Sequence, residues 1–235
     1  MVGGWCLCGH CLYGMSGTDT DDILCGIGVV NAVNVRQRIL LAGTCWYELT
    51  GLRHLLSAQG YDVCCVSLEY SCFREGQDLI IVALSAESIT GWGQHLSRIR
   101  ELRAKMSGKM VVLVPEKLKT LKVLRNVCPV HNGCEDLQHL KDFIGATLNG
   151  PEARSGRFSL TPGQCKVLSR LSGRDRDIPL NLKQDEHGLY YHFARLAENA
   201  GVRDFRMLLM TGLDREMRKM EGTYVQGDMH TCRIQ

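Results

Sequence analysis

Several residues between positions 187 and 199 carry side chains that can form hydrogen bonds with base edges and phosphates. They are His187, Tyr190, Tyr191, Arg195 and Asn199. Between them runs an apolar stripe at helical spacing, made of Leu189, Phe193, Leu196 and Ala200. Imidazole, phenol, guanidinium and amide groups are common donors and acceptors in contacts with nucleic acid. The pattern predicts an amphipathic helix from about Glu186 to Ala200 with a polar outer face. Periodicity alone is equally typical of a packed helix whose polar side faces water.

Another helix is predicted just upstream, where it could support this face. Thr161 and Pro162 are typical of a helix start, because a hydroxyl caps free backbone amides and proline fits the first helical position. Gly173 ends the helix that begins there. The apolar residues of this helix and of the segment after it are Val167, Leu168, Leu171, Ile178 and Leu182.

The order and spacing of these residues resemble a known family. The matching positions are Leu160-Thr161-Pro162, Val167-Leu168, Gly173, Ile178, His192 and Gly201-Val202. Over residues 158–209 the chain resembles the four-helix DNA-binding domain of LuxR-type transcription regulators. The resemblance implies that the helix from about Glu186 enters the major groove of double-stranded DNA. The residues that it places toward the DNA are His187, Gly188, Tyr190, Tyr191, Arg195 and Asn199.

The segment also departs from the family pattern. Gly163-Gln164 replaces an arginine-glutamate pair, Pro179 replaces an alanine, and Gly188 and Tyr190 replace a threonine and a lysine. A proline costs about 3 kcal/mol inside a helix, unless the helix begins there. Asp185-Glu186 can cap the next helix, but both side chains repel phosphates. A basic surface remains through Arg174, Arg176, Lys183, Arg195, Arg203 and Arg206. We therefore expect weak DNA binding by the protein alone, which a partner would strengthen.

The region upstream alternates apolar runs with helix-length amphipathic segments. Runs typical of buried strands cover 39–42, 61–68, 79–84 and 110–114, and helical patterns cover 49–58, 95–106 and 136–148. Continuous apolar strands separated by helices indicate a parallel sheet covered on both faces. The predicted fold class is therefore α/β plus all-α, with a doubly wound parallel sheet followed by a helix-turn-helix domain.

This order resembles the receiver domain of two-component response regulators. Receivers hold Mg²⁺ and a phosphoryl group with an acidic pair after the first strand and an aspartate after the third, because hard cations need carboxylate oxygens. Here the acidic pair falls on Gly43-Thr44 and the acceptor aspartate falls on Ala83. The expected hydroxyl falls on Val114 and the expected lysine falls around His131-Asn132. Asp78 precedes the third strand and matches the usual lead-in. The resemblance implies a pseudo-receiver without phosphorylation, which could serve dimerisation or another signal.

The predicted organisation has five parts. They are a poorly ordered extension at 1–34, a pseudo-receiver at 35–148, a linker at 149–157, a LuxR-type domain at 158–212 and a tail at 213–235. The formal net charge of +3 neither predicts nor excludes nucleic-acid binding. No apolar run is long enough for a membrane span, so no membrane partner is expected.

The twelve cysteines lack the even spacing of a disulfide framework, which favours the reducing cytoplasm. Cys6, Cys8, His10 and Cys11 lie closer together than zinc ligands usually do, and we expect neither a metal nor a cofactor. No combination of nucleophile, base and carboxylate and no phosphate-binding glycine loop stands out, so we do not expect an enzyme.

The sequence thus leads to two hypotheses. The first is a DNA-binding transcriptional regulator that acts through its helix-turn-helix without phosphorylation, as a homodimer or a heterodimer with another LuxR-type regulator. The second is a degenerate regulator that acts mainly as an interaction protein, forming heterodimers with an intact LuxR-type partner and modulating it.

The extension at 1–34 generates a first testable prediction. A chain that begins at Val35 should keep its thermal midpoint within about a degree and stay monodisperse, because a poorly ordered segment buries little apolar surface. Differential scanning fluorimetry and light scattering check this. Stoichiometric zinc that is lost on truncation would contradict it and make the cysteine cluster a metal site.

Overall fold

The computed structural model describes residues 36–69, 76–125, 127–151, 159–171 and 182–219. They all belong to one compact unit, Arg36–Gln235. The predicted extension at 1–34, most of the linker and the end of the tail lie outside these ranges, as do Pro179 and Ile178. Within the described ranges, no helix combines the length and apolar character needed to cross a bilayer.

The centre of the unit is a five-stranded sheet. Its strands are β1 (Arg38–Gly43), β2 (Asp62–Ser67), β3 (Leu79–Ala83), β4 (Lys109–Val114) and β5 (Val130–Asn132). The strand order is β2-β1-β3-β4-β5, and every pair of neighbours is parallel. The four apolar runs of the sequence are strands β1 to β4, so the predicted parallel sheet is confirmed.

Alternate residues of the central strands point to opposite faces of the sheet, as a pleated strand requires. On β1, Ile39 and Leu41 join one apolar cluster while Leu40 and Ala42 join the other. All four side chains are almost completely buried. The sheet is therefore covered on both sides, which explains the continuous apolar runs.

Helices cover the two faces unequally. They are α1 (Trp46–Ser57), α2 (His95–Lys105), α3 (Lys122–Arg125) and α4 (Leu137–Asn149), with short 3-10 turns at Trp92–Gln94 and Glu116–Leu118. Helices α1 and α4 pack on the face of Ile39 and Leu41. The opposite face receives α2, the two turns and α3. This arrangement is a doubly wound, receiver-like sheet, and α3 was not anticipated by the sequence.

The C-terminal part is helical and packs on that same opposite face. Its helices are α5 (Pro162–Leu171), α6 (Leu182–Ala200) and α7 (Phe205–Thr211), and residues 213–219 are also helical. Buried side chains from these helices, such as Leu168, Leu196 and Leu208, belong to the apolar cluster that includes Leu40 and Ile80 of the sheet. The sheet and the C-terminal helices therefore share a core.

One detail of the predicted C-terminal part is wrong. Asp185 and Glu186 were expected to cap a helix that begins near Glu186, but α6 begins at Leu182 and runs through both positions. The physical reason lies in the sequence of this turn, because Leu182, Lys183 and Gln184 are good helix formers and no glycine or proline interrupts them. Residues 172–181, which precede α6, lie outside the described ranges.

Polar contacts and close backbone approaches join the C-terminal helices to the α/β part. The Thr120 hydroxyl donates to the Gly201 carbonyl at 2.7 Å, and the Gly91 amide donates to the Met210 carbonyl at 2.9 Å. A Cβ atom on Gly201 would lie 2.1 Å from the Thr120 carbonyl oxygen, and Gly201 has a φ of 80°. A side chain at this position would separate the two parts.

The shared core generates a prediction about stability. Leu196 is completely buried, so Leu196→Ala should lower the free energy of unfolding by about 2–5 kcal/mol. Urea unfolding followed by circular dichroism and by tryptophan fluorescence checks this, and both signals should change in one transition. The control Tyr190→Ala, at an exposed site of the same helix, should stay within about 0.5 kcal/mol of the wild type. Two separate transitions would contradict a common core.

Candidate nucleic-acid interface

The central part of the predicted outer face of α6 is exposed. Tyr190 and Tyr191 are 77% and 56% accessible, and Gly188, Ala194 and Arg195 are also exposed. The inner face carries Leu196, Ala197 and Ala200, which are buried, with the half-buried Phe193 beside them. The predicted amphipathic pattern is thus present between Tyr190 and Ala200, whereas the side chain of Leu189 falls outside the described structure. His187 lies in α6, but its side chain falls outside the described structure.

Arg195 is held in place by two neighbours on its own helix. Its Nε donates to the Tyr191 hydroxyl at 3.2 Å, and its Nη1 donates to Glu198 Oε2 at 2.6 Å. The guanidinium also lies 5.4 Å from the centre of the Tyr191 ring. The hydrogen bond with Tyr191 and then that with Glu198 raise the pKa of Arg195. The three side chains form an exposed group in which the arginine charge is balanced by Glu198.

Asn199 is engaged between helices. Its Nδ2 donates to Gln164 Oε1 at 3.1 Å, and that same oxygen accepts the Thr161 amide at 2.9 Å. The backbone N–H of Gln164 in turn donates to the Thr161 hydroxyl oxygen at 3.4 Å. Thr161 and Gln164 form the reciprocal capping arrangement of a threonine followed three residues later by glutamine. Asn199 therefore ties α6 to the start of α5.

The sequence reasoning missed this role of Gln164, although its signal was present. Gln164 is 3% exposed and stands where the LuxR-type pattern has glutamate. The spacing from Thr161 is that of a capping box, which identifies Gln164 as a capping residue. Its further bond to Asn199 depends on how the two helices meet, and no local pattern contains that information.

His192 and the aromatic residues near it fix the packing of α6. A Cβ atom on Gly163 would lie 2.5 Å from His192 Cε1, so the absence of a side chain at Gly163 makes room for the imidazole. At the next residue of the helix, the ring of Phe193 stacks on that of Phe205 with centroids 4.1 Å apart. These contacts hold α6 between α5 and α7, with Tyr190 and Tyr191 outward.

A second candidate site is the carboxyl edge of the sheet, where parallel α/β folds bind ligands. Ala83 ends β3 and is completely buried, and Gly43 pairs with it at the end of β1. The Thr44 hydroxyl donates to Glu87 Oε1. Asp78 lies at the start of β3, at the opposite edge, where it accepts the Arg38 amide at 2.7 Å. The positions that correspond to the acidic pair and the acceptor thus carry no carboxylate.

The end of β5 carries no lysine or arginine. The His131 ring lies against that of Phe143, tilted by 35° with centroids 4.5 Å apart, and its Nε2 lies 3.5 Å from Glu135 Oε2. Burial lowers the pKa of His131, and the charge of Glu135 opposes this. The neighbouring Asn132 is buried and accepts the Cys134 amide through Oδ1 at 3.1 Å. His131 thus packs against Phe143, and Asn132 stabilises the turn that follows β5.

Within the described ranges, no three His, Cys, Asp or Glu side chains converge as metal ligands do. Cys6, Cys8, His10 and Cys11 lie outside those ranges.

The class of fold follows from the strand order. A parallel sheet with the order 2-1-3-4-5 and helices on both faces is the doubly wound arrangement found in flavodoxin and in receiver domains. The described α/β part is therefore receiver-like.

Comparison with known proteins adds little to the fold assignment. No protein-family profile matches the chain, and no curated protein is significantly similar to it in sequence. Among solved structures, the crystal structure of the response regulator ChrA in a heme-sensing two-component system matches 78% of this chain and 98% of its own. The identity is 15% and the TM-score is 0.37. The strand order, and not this match, carries the fold assignment.

The strand ends generate a prediction about phosphorylation. Incubation with acetyl phosphate and Mg²⁺ should leave the mass of the intact protein unchanged, because Ala83 has no nucleophilic atom and Gly43 and Thr44 supply no carboxylate for the metal. Intact-protein mass spectrometry checks this, with a phosphorylatable receiver as the positive control. A stoichiometric gain of one phosphoryl group in residues 36–151 would show that an acceptor exists elsewhere in the α/β part.

Proposed function

We propose that the protein is a DNA-binding transcriptional regulator that works without phosphorylation, catalysis or a cofactor. The observation that carries this proposal is the outer face of α6, where Tyr190, Tyr191 and Arg195 are exposed together. The opposite face of α6 packs on α5 and α7. A helix supported on one side and exposed on the other suits insertion into the major groove.

The groups on this face have complementary chemistry for DNA. The Arg195 guanidinium can donate two parallel hydrogen bonds to a guanine edge or bind a phosphate. The tyrosine hydroxyls donate to phosphates, and their rings can pack against sugars. Arg203 and Arg206, just beyond the end of α6, are also exposed and add positive charge for the DNA backbone. We place double-stranded DNA at α6 on these grounds.

A specific observation supports the alternative of an interaction protein. Arg195 is paired with Glu198, so the charge that would bind phosphate is partly balanced on the same helix. Exposed tyrosines with an arginine beside them are also typical of the centres of protein interfaces. The partner would be an intact LuxR-type regulator, with which this chain would form a heterodimer and whose DNA binding it would modulate.

Substitution of Arg195 separates these possibilities. If Arg195 contacts a guanine edge, Arg195→Ala should weaken binding to the specific site by about tenfold or more and reduce discrimination between sequences. If it contacts only a phosphate, binding to all sequences should weaken alike and the salt dependence should become shallower. Mobility-shift titrations at several salt concentrations, with and without a LuxR-type partner, measure both effects.

Arg98→Ala is the matched control. Arg98 also forms an exposed arginine-glutamate pair at a spacing of three residues, with Glu101 at 2.9 Å, but it lies on α2. The control should leave DNA binding unchanged. Loss of partner binding in Arg195→Ala, without any DNA binding by the wild-type protein alone, would favour the interaction protein. If Arg195→Ala changes neither DNA binding nor partner binding while the fold stays intact, Arg195 and the α6 face around it are not the contact surface.

A further inference from the structure

The carboxylate of Glu48 is bound by three donors from a neighbouring loop. Its Oε1 accepts the Ser85 amide at 3.1 Å and the Ser85 hydroxyl at 2.5 Å. Its Oε2 accepts the Ala86 amide at 3.2 Å. Two successive backbone N–H groups and a hydroxyl that point at one carboxylate form an anion-binding pocket. Glu48 is on the first turn of α1, so this pocket is filled from within the protein.

The pocket lies at the carboxyl edge of the sheet. Ser85 follows the end of β3 by two residues, and Glu48 comes shortly after the end of β1. The order of strands reverses between β1 and β3, and ligands of open α/β sheets bind where such a reversal occurs. Gly133 lies directly against Ser85. A Cβ atom on Gly133 would lie 2.3 Å from Ser85 Cβ, so the absence of a side chain there makes room for Ser85. The side chain of Glu48 thus occupies the place where an α/β fold of this type would take an external anion.

The loop that holds Glu48 also reaches the C-terminal helices. A few residues after Ala86, the Gly91 amide donates to the Met210 carbonyl at 2.9 Å. A Cβ atom on Gly93 would lie 2.9 Å from the Thr211 carbonyl oxygen, so the backbone of the loop contacts the end of α7 directly. One end of the loop is therefore attached to α1 through Glu48, and the other is attached to α7.

We propose that Ser85 and Ala86 form a carboxylate-binding pocket for which Glu48 is the permanent internal ligand, and that this contact keeps the loop at 84–94 in the position that docks α7. The ligand class is a carboxylate, supplied by the chain itself. This inference concerns the coupling between the α/β part and the C-terminal helices, and it does not depend on whether α6 contacts DNA.

Removal of the carboxylate and its replacement from solution test the proposal on the full chain. In Glu48→Ala, amide exchange measured residue by residue by NMR should accelerate about tenfold at Ser85, Ala86 and Gly91, since a hydrogen-bonded carboxylate is lost. Excess acetate should occupy the vacated pocket and slow all three amides again. Sodium chloride at the same ionic strength should not. In the wild type, acetate should have no effect because Glu48 fills the pocket.

Glu116→Ala is the matched control, since Glu116 is an exposed carboxylate on the turn after β4. It should leave the three exchange rates unchanged. If Glu48→Ala does not fold, Glu48→Gln, which keeps most of the packing but replaces the carboxylate by a neutral amide with one acceptor oxygen, should accelerate exchange in the same direction and by less. Faster exchange at Ser85 and Ala86 with Gly91 unchanged would overturn the link to α7. Exchange in folded Glu48→Ala that is unchanged, or that acetate does not slow, would overturn the pocket.

Discussion

The burial of the parallel sheet on both faces is the constraint on which the rest of the structure depends. Each strand from β1 to β4 sends large apolar side chains to at least one face, and the central strands send them to both. One face is covered by α1 and α4. On the other, α2 packs together with α3, which has only four residues, and the apolar cluster also contains side chains of α5, α6 and α7. The C-terminal helices thus act as part of the cover of the sheet. The exposure of Tyr190 and Tyr191 follows, because the inner side of α6 is already committed to this core.

The main elements of the α/β part could be predicted from the sequence because their signals are local. The run at 79–84 is continuous and apolar, and it became a strand buried on both faces. The weaker elements had no such signal. Strand β5 has three residues, two of them half-buried, and it exists through its pairing with β4. The shared core of the sheet and the C-terminal helices could not be predicted from the sequence. It depends on which apolar side chains, far apart in the sequence, come into contact in the fold.

At the candidate interface, too, some features could be predicted from the sequence and others could not. Helical spacing placed Tyr191 one turn before Arg195, and the two side chains contact each other. The same spacing could not show that Asn199 turns toward Gln164, because that bond depends on the angle between α5 and α6. The expected cap at Asp185 and Glu186 was wrong because α6 already begins at Leu182, and residues 182–187 contain no glycine or proline that would delay its start. Local rules thus gave the face of the helix, whereas its lateral contacts were set by the rest of the molecule.

Gly201 has a wider consequence for how this surface can change. At the turn after α6, backbone lies against backbone, and the spacing between the C-terminal helices and the segment around Thr120 is fixed by the absence of a side chain. The direction in which α6 faces is therefore set by the main chain and not by any residue on its outer side. Substitutions at the exposed positions can accumulate without rotating the helix. A chain built in this way can change the chemistry of its exposed surface while the backbone that presents this surface stays the same.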